Sequence, residues 1–306
     1  MDAPSRKPVL LLHVGMHKTG TTSLQARCQE HSAELRSHGL LYPAAGQSDL
    51  YPNHNQIAKN LLGDTRGTGR QGALGEILEE IEASRCERVL VSGEDLSRLW
   101  QRPDLLERLR SSFESLGYEV HVLLGCRQPE SFVPALYGTL VRQGMGVERS
   151  QFEREARETG QVTVPALVNW PRRVFCTEPV ELEQAFADAF GPDRMHVVDY
   201  DASGMITKII ETQAWFFGDQ ASLLSDVGRQ NTSGDLDGRR RLEDLLADLQ
   251  GSTVWRSTRW VRTPTARRIR TRARSVAGRL SRTPLSLGQW RASQTAVNGE
   301  GDEARP

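Results

Sequence analysis

The sequence has little of what marks membrane-spanning, secreted or zinc-binding proteins. None of its 306 residues lie in a stretch approaching the roughly 18 consecutive apolar residues that a membrane-spanning helix needs. The four cysteines are widely separated and lack Cys-x-x-Cys spacing, which argues against a disulfide framework and a structural zinc site. The apolar run near the N-terminus leads into a glycine-containing loop rather than a cleavage site, so no secretory signal is expected. We therefore expect a cytoplasmic protein.

Net charge is also absent, but the balance hides an uneven distribution. Lysine plus arginine and aspartate plus glutamate each number 39. Residues 251–299 contain 11 arginines with no lysine and no acid, whereas residues 1–250 contain 27 basic and 36 acidic residues. We therefore predict an acidic body over residues 1–250, an Arg-rich segment over 251–291 and a disordered tail over 292–306.

The Arg-rich segment contains the pattern of a basic amphipathic helix over residues 264–282. Small and aliphatic side chains recur at intervals of three and four, with arginine on the other faces. Packing against the acidic body is the plainest interpretation. Peripheral contact with an anionic membrane, at its inner face, is the alternative. Nucleic acid is not an expected partner, because no recognisable motif accompanies the charge.

Apolar runs alternate with helical patterns along the acidic body. The runs read as buried parallel strands, and they lie at residues 8–14, 88–92, 120–126 and 195–199. Helical periodicity lies between them, at residues 22–38, 74–84, 103–116, 131–142 and 180–190. The region 46–72 is predicted to be loop with one short helix. This order predicts an α/β fold, with a central, mostly parallel sheet flanked by helices.

The loop after the first predicted strand has the composition of an anion-binding site. It reads Gly-Met-His-Lys-Thr-Gly-Thr-Thr-Ser over residues 15–23 and opens a helix. A helix N-terminus presents free N–H groups and the positive end of its dipole to an anion. Lys18 adds a full charge, and Thr21, Thr22 and Ser23 add hydroxyl donors. The expected ligand is a phosphate or sulfate group.

The spacing of Gly15 and Gly20 matches a Walker A loop, but threonine follows Gly20 where that loop has lysine. The segment HVGMHKTGTTSLQ instead resembles the 5′-phosphosulfate loop of sulfotransferases that use 3′-phosphoadenylyl sulfate. The resemblance is to bacterial members and extends over residues 8–235. It implies a P-loop-like sulfotransferase fold in the domain 1–250. It also implies donor contacts from His17, Lys18, Thr19, Gly20, Thr21, Thr22 and Ser23.

A second motif of that family binds the 3′-phosphate of the donor. It follows a later strand, begins with arginine and ends with a serine about two helical turns on. Here the predicted strand 120–126 runs into Arg127, whose guanidinium can bind a phosphate through two parallel hydrogen bonds. The serine position holds Ala135, and Ser131 lies one turn earlier. This departure implies weaker donor binding.

Sulfuryl transfer requires stabilisation of charge on the leaving phosphate and a general base for the acceptor. Lys18 and the loop N–H groups suit the first task. Two residues are candidates for the base. His54 follows the loop region, and an imidazole titrates near pH 6.5. Glu94 lies just past a predicted strand, at the ligand-binding edge of the sheet. The plain alternatives are a polar helix-start residue for His54 and a helix N-terminal acid for Glu94.

The sequence therefore predicts a sulfotransferase that moves a sulfuryl group from 3′-phosphoadenylyl sulfate to a hydroxyl of a carbohydrate, glycolipid or small metabolite. No metal site is evident, so no metal requirement is expected. Two alternatives stay open. One is a nucleotide-dependent kinase or NTPase of related fold, and the other is a catalytically silent nucleotide-binding protein.

Overall fold

The computed structural model describes residues 7–17, 19–47, 51–64, 72–142, 148–164, 172–200 and 204–225. All of them belong to one unit of the chain, Met1–Gln230. Lys18, the predicted basic helix 264–282 and the predicted tail 292–306 lie outside the described residues. The predicted boundary at residue 250 also lies outside them and stays a prediction.

The strands form two sheets. Their bounds are β1 Val9–Gly15, β2 Leu40–Leu41, β3 Arg88–Ser92, β4 Glu119–Cys126, β5 Gln161–Val164, β6 Arg173–Cys176 and β7 Met195–Asp199. Five parallel strands make the central sheet in the order β2-β3-β1-β4-β7, and β5 pairs with β6 antiparallel. The predicted α/β class and its central parallel sheet are confirmed.

Helices cover both faces of the central sheet. Their bounds are α1 Thr21–Glu30, α2 Ser32–Ser37, α3 Asn55–Leu61, α4 Ala73–Ser84, α5 Pro103–Glu114, α6 Pro129–Arg142, α7 Arg149–Thr159, α8 Pro179–Phe190, α9 Met205–Thr212, α10 Ala214–Phe217 and α11 Ala221–Ser225. Shorter 3₁₀ turns lie at Glu94–Leu99, Pro192–Arg194 and Gly218–Gln220. The four helices predicted between residues 74 and 190 are confirmed, and their ends shift by at most two residues.

The burial of the central strand β1 on both faces explains why its sequence is almost entirely apolar. Leu10 and Leu12 pack in the core cluster on one face of the sheet, and Leu11 packs in the cluster on the other face. All three side chains are fully buried. A strand with helices on both faces has no solvent side, so it reads as a continuous apolar run rather than an alternating one.

The helix predicted over residues 22–38 is divided in two at His31, where φ is −98° and ψ is 16°. Leu24, Cys28 and Leu35 are nevertheless fully buried on one side, as the periodicity predicts. Gly39 ends the second helix with a φ of +77°, a left-handed conformation that glycine adopts without steric cost. The predicted burial pattern is therefore correct, although the periodicity did not predict the interruption of the helix at His31.

The sequence pattern did not predict the β5–β6 pair. Val162 lies opposite Phe175, and both side chains are buried in the same core cluster as β1. Strand β6 packs beside the 3₁₀ turn Glu94–Leu99, which places it near the end of β3. Among the described helices, none combines the length and the apolar composition that a membrane crossing requires.

Candidate active site

The parallel sheet brings the predicted functional residues to one edge. Strands β3 and β4 flank β1, and β7 lies next to β4. Residues that follow β1 form the predicted anion loop, Glu94 follows β3, and Arg127 follows β4 directly. Carboxyl ends of parallel strands share an edge, and ligands bind there where successive connections leave in opposite directions. The predicted residues are therefore collected by topology rather than by proximity in sequence.

Glycine gives the anion loop its close packing. A Cβ atom at Gly15 would lie 2.8 Å from Thr21 Cγ2 and 3.0 Å from Thr19 Oγ1. Gly20 has a φ of +78° and directly precedes α1. No described side chain caps the first turn of α1 by a hydrogen bond. The Ser23 N–H makes a long contact of 3.4 Å with the Gly20 carbonyl, and the N–H groups before it in that turn have no side-chain cap, as an anion site at a helix N-terminus requires.

The hydroxyl groups of the loop fall into two sets. Thr19 is fully buried and donates through Oγ1 to the Met16 carbonyl at 2.8 Å, and Thr21 is also buried. Thr22 is exposed and Ser23 is half-buried. Thr19 therefore stabilises the shape of the loop, and Thr22 and Ser23 are the hydroxyls open to a ligand.

Arg127 and Ser131 meet at the start of α6. The guanidinium Nε donates to Ser131 Oγ at 3.0 Å, and the guanidinium carbon lies 4.5 Å from the ring centroid of Tyr200. Tyr200 follows β7 and donates its backbone N–H to the Cys126 carbonyl at 2.7 Å. The Arg127 backbone N–H lies 3.4 Å from the Met16 sulfur, so this site adjoins the anion loop. Sequence analysis missed Tyr200, which only its place after a strand could have signalled.

His54 lies inside the protein with both ring nitrogens engaged. Nδ1 accepts a hydrogen bond from the Ser92 backbone N–H at 3.0 Å, and Nε2 lies 2.9 Å from the Pro43 carbonyl. Burial lowers the pKa of His54 to about 4, although the backbone hydrogen bonds to Pro43 and Ser92 oppose that shift. The side chain is 0% exposed. This placement argues against the predicted role of His54 as a general base and favours a role in joining α3 to β3.

Glu94 opens the 3₁₀ turn after β3 and is half-buried. Its Oε2 accepts a hydrogen bond from Asn55 Nδ2 at 3.1 Å, and Asn55 Oδ1 accepts one from the Asp95 backbone N–H at 2.9 Å. A Cβ atom at Gly93 would lie 2.9 Å from Asn55 Oδ1 and 3.2 Å from the Asn55 backbone nitrogen. This close packing between α3 and the turn fixes the position of Glu94 at the ligand edge.

His17 and Asp95 form a pair that sequence analysis did not predict. His17 Nε2 lies 3.4 Å from Asp95 Oδ1, and Arg98 Nη1 lies 3.8 Å from Asp95 Oδ2. Burial would raise the pKa of Asp95, but contact with His17 and the charges of Arg98 and Arg173 outweigh burial and hold that pKa well below its usual range. Asp95 is therefore ionised. Its position directly after Glu94 was the one signal available.

A small, largely apolar cleft lies beside His17. Its lining is Met16, His17, Ser97, Phe132, Val174, Phe175, Cys176 and Leu182. The His17 and Phe175 rings meet edge to face, with centroids 5.2 Å apart. Burial raises the pKa of the Cys176 thiol to about 12, so this thiol is neutral. Within the described ranges, no three His, Cys, Asp or Glu side chains are grouped as metal ligands.

Two solved structures are similar to this chain. One is a sulfotransferase from Alicyclobacillus acidocaldarius, at 14% identity and a TM-score of 0.43, covering 80% of this chain and 92% of that one. The other is the sulfotransferase domain from the curacin biosynthetic pathway, at 13% identity and a TM-score of 0.34, covering 72% of this chain and 75% of that one. No protein-family model and no curated protein sequence matches the chain. The functional conclusion therefore depends on the residues of the site.

Proposed function

We propose that this protein is a sulfotransferase that uses 3′-phosphoadenylyl sulfate as its sulfuryl donor. The observation that carries the proposal is the meeting of two anion sites at the ends of β1 and β4. One is the uncapped first turn of α1, and the other is Arg127 with Ser131. The contact between Arg127 and Met16 makes the two sites neighbours. A nucleotide with a phosphosulfate at one end and a separate phosphate at the other matches this pair.

The site residues divide the tasks of the reaction. Backbone N–H groups at the start of α1, with Thr22 and Ser23, would hold the phosphosulfate. Arg127 would hold the 3′-phosphate, with its guanidinium oriented in advance by Ser131 and Tyr200. Because Ser131 and Tyr200 already hold the guanidinium, Arg127 would lose less side-chain freedom on binding a phosphate.

The reaction also requires stabilisation of the negative charge that develops on the leaving phosphate. As the sulfur–oxygen bond to the 5′-phosphate breaks, that phosphate keeps the electron pair, and the acceptor oxygen bonds to sulfur. Lys18, from the predicted loop, would supply the cation that stabilises this charge. The acceptor proton passes to a base, and among the two predicted bases Glu94 is the one with solvent access. The acceptor class we propose is a hydroxyl of a carbohydrate, glycolipid or small metabolite.

A binding measurement tests the donor assignment. We expect the full chain to bind adenosine 3′,5′-bisphosphate in the presence of EDTA by calorimetry, with no gain on adding Mg²⁺. ATP binding that requires Mg²⁺, with no binding of the bisphosphate, would contradict the proposal and favour a kinase or NTPase.

A second measurement tests whether the protein is an enzyme. Lys18→Ala should slow sulfuryl transfer from the labelled donor about 100-fold, the usual effect of removing one group that stabilises transition-state charge. Lys7→Ala, two residues before β1, is the matched control and should leave the rate unchanged. Transfer by Lys18→Ala at the wild-type rate would remove Lys18 from the mechanism.

A further inference from the structure

His17 has a neighbouring carboxylate and a partly exposed side chain, as a general base requires. Its Nε2 is buried 3.4 Å from Asp95 Oδ1 without forming a hydrogen bond, whereas its side chain keeps 23% of its area exposed. The apolar cleft described above begins at the same ring. His17 also belongs to the loop that forms the proposed phosphosulfate site. One side chain thus lies beside a buried carboxylate, in the donor loop, and at a narrow cleft with room for about one water molecule.

We infer that His17 takes the proton from the acceptor hydroxyl, and that Asp95 is the positioning residue that orients its ring. This inference rests on the proposed function and assigns a catalytic role within the same site. It replaces neither the donor contacts nor the role of Lys18.

The carboxylate decides which ring nitrogen acts. An ionised carboxylate beside Nε2 keeps the proton on that nitrogen, which leaves the lone pair on Nδ1. Nδ1 is then the nitrogen left to accept a proton from an acceptor that reaches the exposed part of the ring. The separation of 3.4 Å is longer than a well-formed hydrogen bond, and such contacts commonly tighten when substrate binds.

Asp95 is itself held in place from the side opposite His17. Arg98 lies 3.8 Å from the second carboxylate oxygen of Asp95 and 3.1 Å from Asp64 Oδ2. All three of these side chains are at most 8% exposed. A carboxylate fixed in this way aims the imidazole, which is what a positioning residue supplies to a general base.

The other two candidates are less suited to proton transfer. Both ring nitrogens of His54 are engaged with the backbone, and its side chain has no exposed area. Glu94 is accessible, but one of its oxygens accepts a hydrogen bond from Asn55. His17 has a nitrogen left over and borders the cleft.

The step balances without a further reactant. The acceptor O–H proton moves to Nδ1 of His17 while the acceptor oxygen forms its bond to sulfur. The bond from sulfur to the 5′-phosphate oxygen breaks, and its electron pair stays on the phosphate. His17 ends as an imidazolium and releases its proton to water after the products leave.

The experiment compares His17→Asn, Asp95→Asn and Glu94→Gln in the full chain. The readout is release of adenosine 3′,5′-bisphosphate from the donor, with phenol and with water as acceptors, between pH 5 and 8.5. We expect His17→Asn to lose about 100-fold in rate, the lower range for general-base catalysis, and Asp95→Asn about 10-fold. Bisphosphate binding should stay within a few-fold of wild type in Asp95→Asn, and the rate of His17→Asn is compared at saturating donor because His17 is also a predicted donor contact.

The pH profile separates catalysis from structure. The groups that face the pair are Arg98, Arg173 and the Cys176 thiol. The pKa of Asp95 is held well below its usual range and burial raises the pKa of Cys176 to about 12, so between pH 5 and 8.5 Asp95 stays ionised and Cys176 stays neutral. A base that must be neutral to accept the acceptor proton predicts a wild-type rate that rises with pH over this range. His17→Asn should lose this dependence.

A measurement on the wild-type chain avoids any loss of folding in Asp95→Asn. Long-range ¹H–¹⁵N spectra of histidine-labelled protein report the tautomer of each imidazole, and the His17 signal is the one absent in His17→Asn. We expect the proton on Nε2. A proton on Nδ1 would overturn the inference, and so would a wild-type rate and pH profile in His17→Asn. Bisphosphate binding without any release from the donor would instead overturn the proposed reaction, and the tautomer would still decide the pairing.

Discussion

At the scale of single residues, Arg127, the side chain that we propose for the 3′-phosphate, is held in place by two neighbouring side chains. Ser131 accepts a hydrogen bond from its Nε, and Tyr200 lies against the guanidinium face. The side chain therefore loses less rotamer freedom on binding a phosphate than a surface arginine does.

Arg127→Ala should weaken binding of adenosine 3′,5′-bisphosphate by about 10- to 100-fold, since a charge-assisted hydrogen bond contributes roughly 1.5–3 kcal/mol. Calorimetry measures the change. Arg102→Ala is the matched control, because Arg102 forms an exposed ion pair with Asp104 at 2.7 Å. Equal affinities for Arg127→Ala and wild type would remove Arg127 from the donor site.

The sequence predicted the site residues that belong to recognisable motifs. It did not predict the residues that reach the site only through contacts in the folded chain. Spacing after a strand identified the anion loop and Arg127. Nothing in the sequence shows that Tyr200 reaches Arg127, that Asp95 reaches His17 or that Pro43 lies against His54. Each of these contacts depends on which strands are neighbours or on the path of a loop. The periodicity of a short segment shows neither the strand order nor the loop path.

At the scale of elements, the junction between α3 and the turn after β3 is the most tightly packed connection in the site. Gly93→Ala should lower the free energy of unfolding by about 1–3 kcal/mol, the usual effect of overpacking. Its Cβ would lie within 3.2 Å of backbone atoms of His54 and Asn55, which cannot swing aside. Urea unfolding measures the loss.

Gly75→Ala provides the control for that change. Gly75 lies in α4, and a Cβ there would have nothing within 4 Å. Alanine in a helix is favoured over glycine by roughly 0.8–1 kcal/mol, so this variant should be as stable as wild type or more stable. Equal stability of Gly93→Ala and wild type would show that the junction can relax.

The long apolar runs, most of the long helical patterns and the short helix α3 were predicted, whereas the 11-residue helix α7 and the strands β5 and β6 were not. Strands β5 and β6 have four residues each, too few for an alternation to stand out from loop sequence. Pro134 lies inside α6, where proline is disfavoured, yet the helix continues through it. Its side chain is exposed, so the ring has room outside the packed face.

At the scale of the whole molecule, two buried histidines couple stability to pH. Burial lowers the pKa values of His13 and His54 to about 4. The folded chain keeps both imidazoles neutral, whereas the unfolded chain protonates them below about pH 6.5. Their contribution is complete above pH 6.5 and is lost progressively as the pH falls toward 4.

The free energy of unfolding should therefore be about 4 kcal/mol lower at pH 5 than at pH 7.5, or about 2 kcal/mol for each histidine. Urea unfolding at the two pH values measures this difference. His54→Gln should show about half of it, whatever its own stability at pH 7.5. A wild-type stability that does not change over this range would contradict the burial of both rings.

The alternation of strands and helices predicted the class of the fold but not the order of its strands. Right-handed connections limit the possible orders without choosing one. The observed order places β1 between β3 and β4, so that His17, Asp95 and Arg127 follow three adjacent strands. The candidate site thus depends on the strand order of the sheet as well as on the sequence motifs.

The interior placement of the cysteines has a practical consequence for work in solution. All four thiols are free and buried, and burial raises the pKa values of Cys126 and Cys176 to about 12. Because alkylating reagents attack the thiolate, the folded chain offers them little to modify. An added surface thiol would be a unique attachment point for a fluorophore, and donor-dependent movements could be followed without first removing the native cysteines.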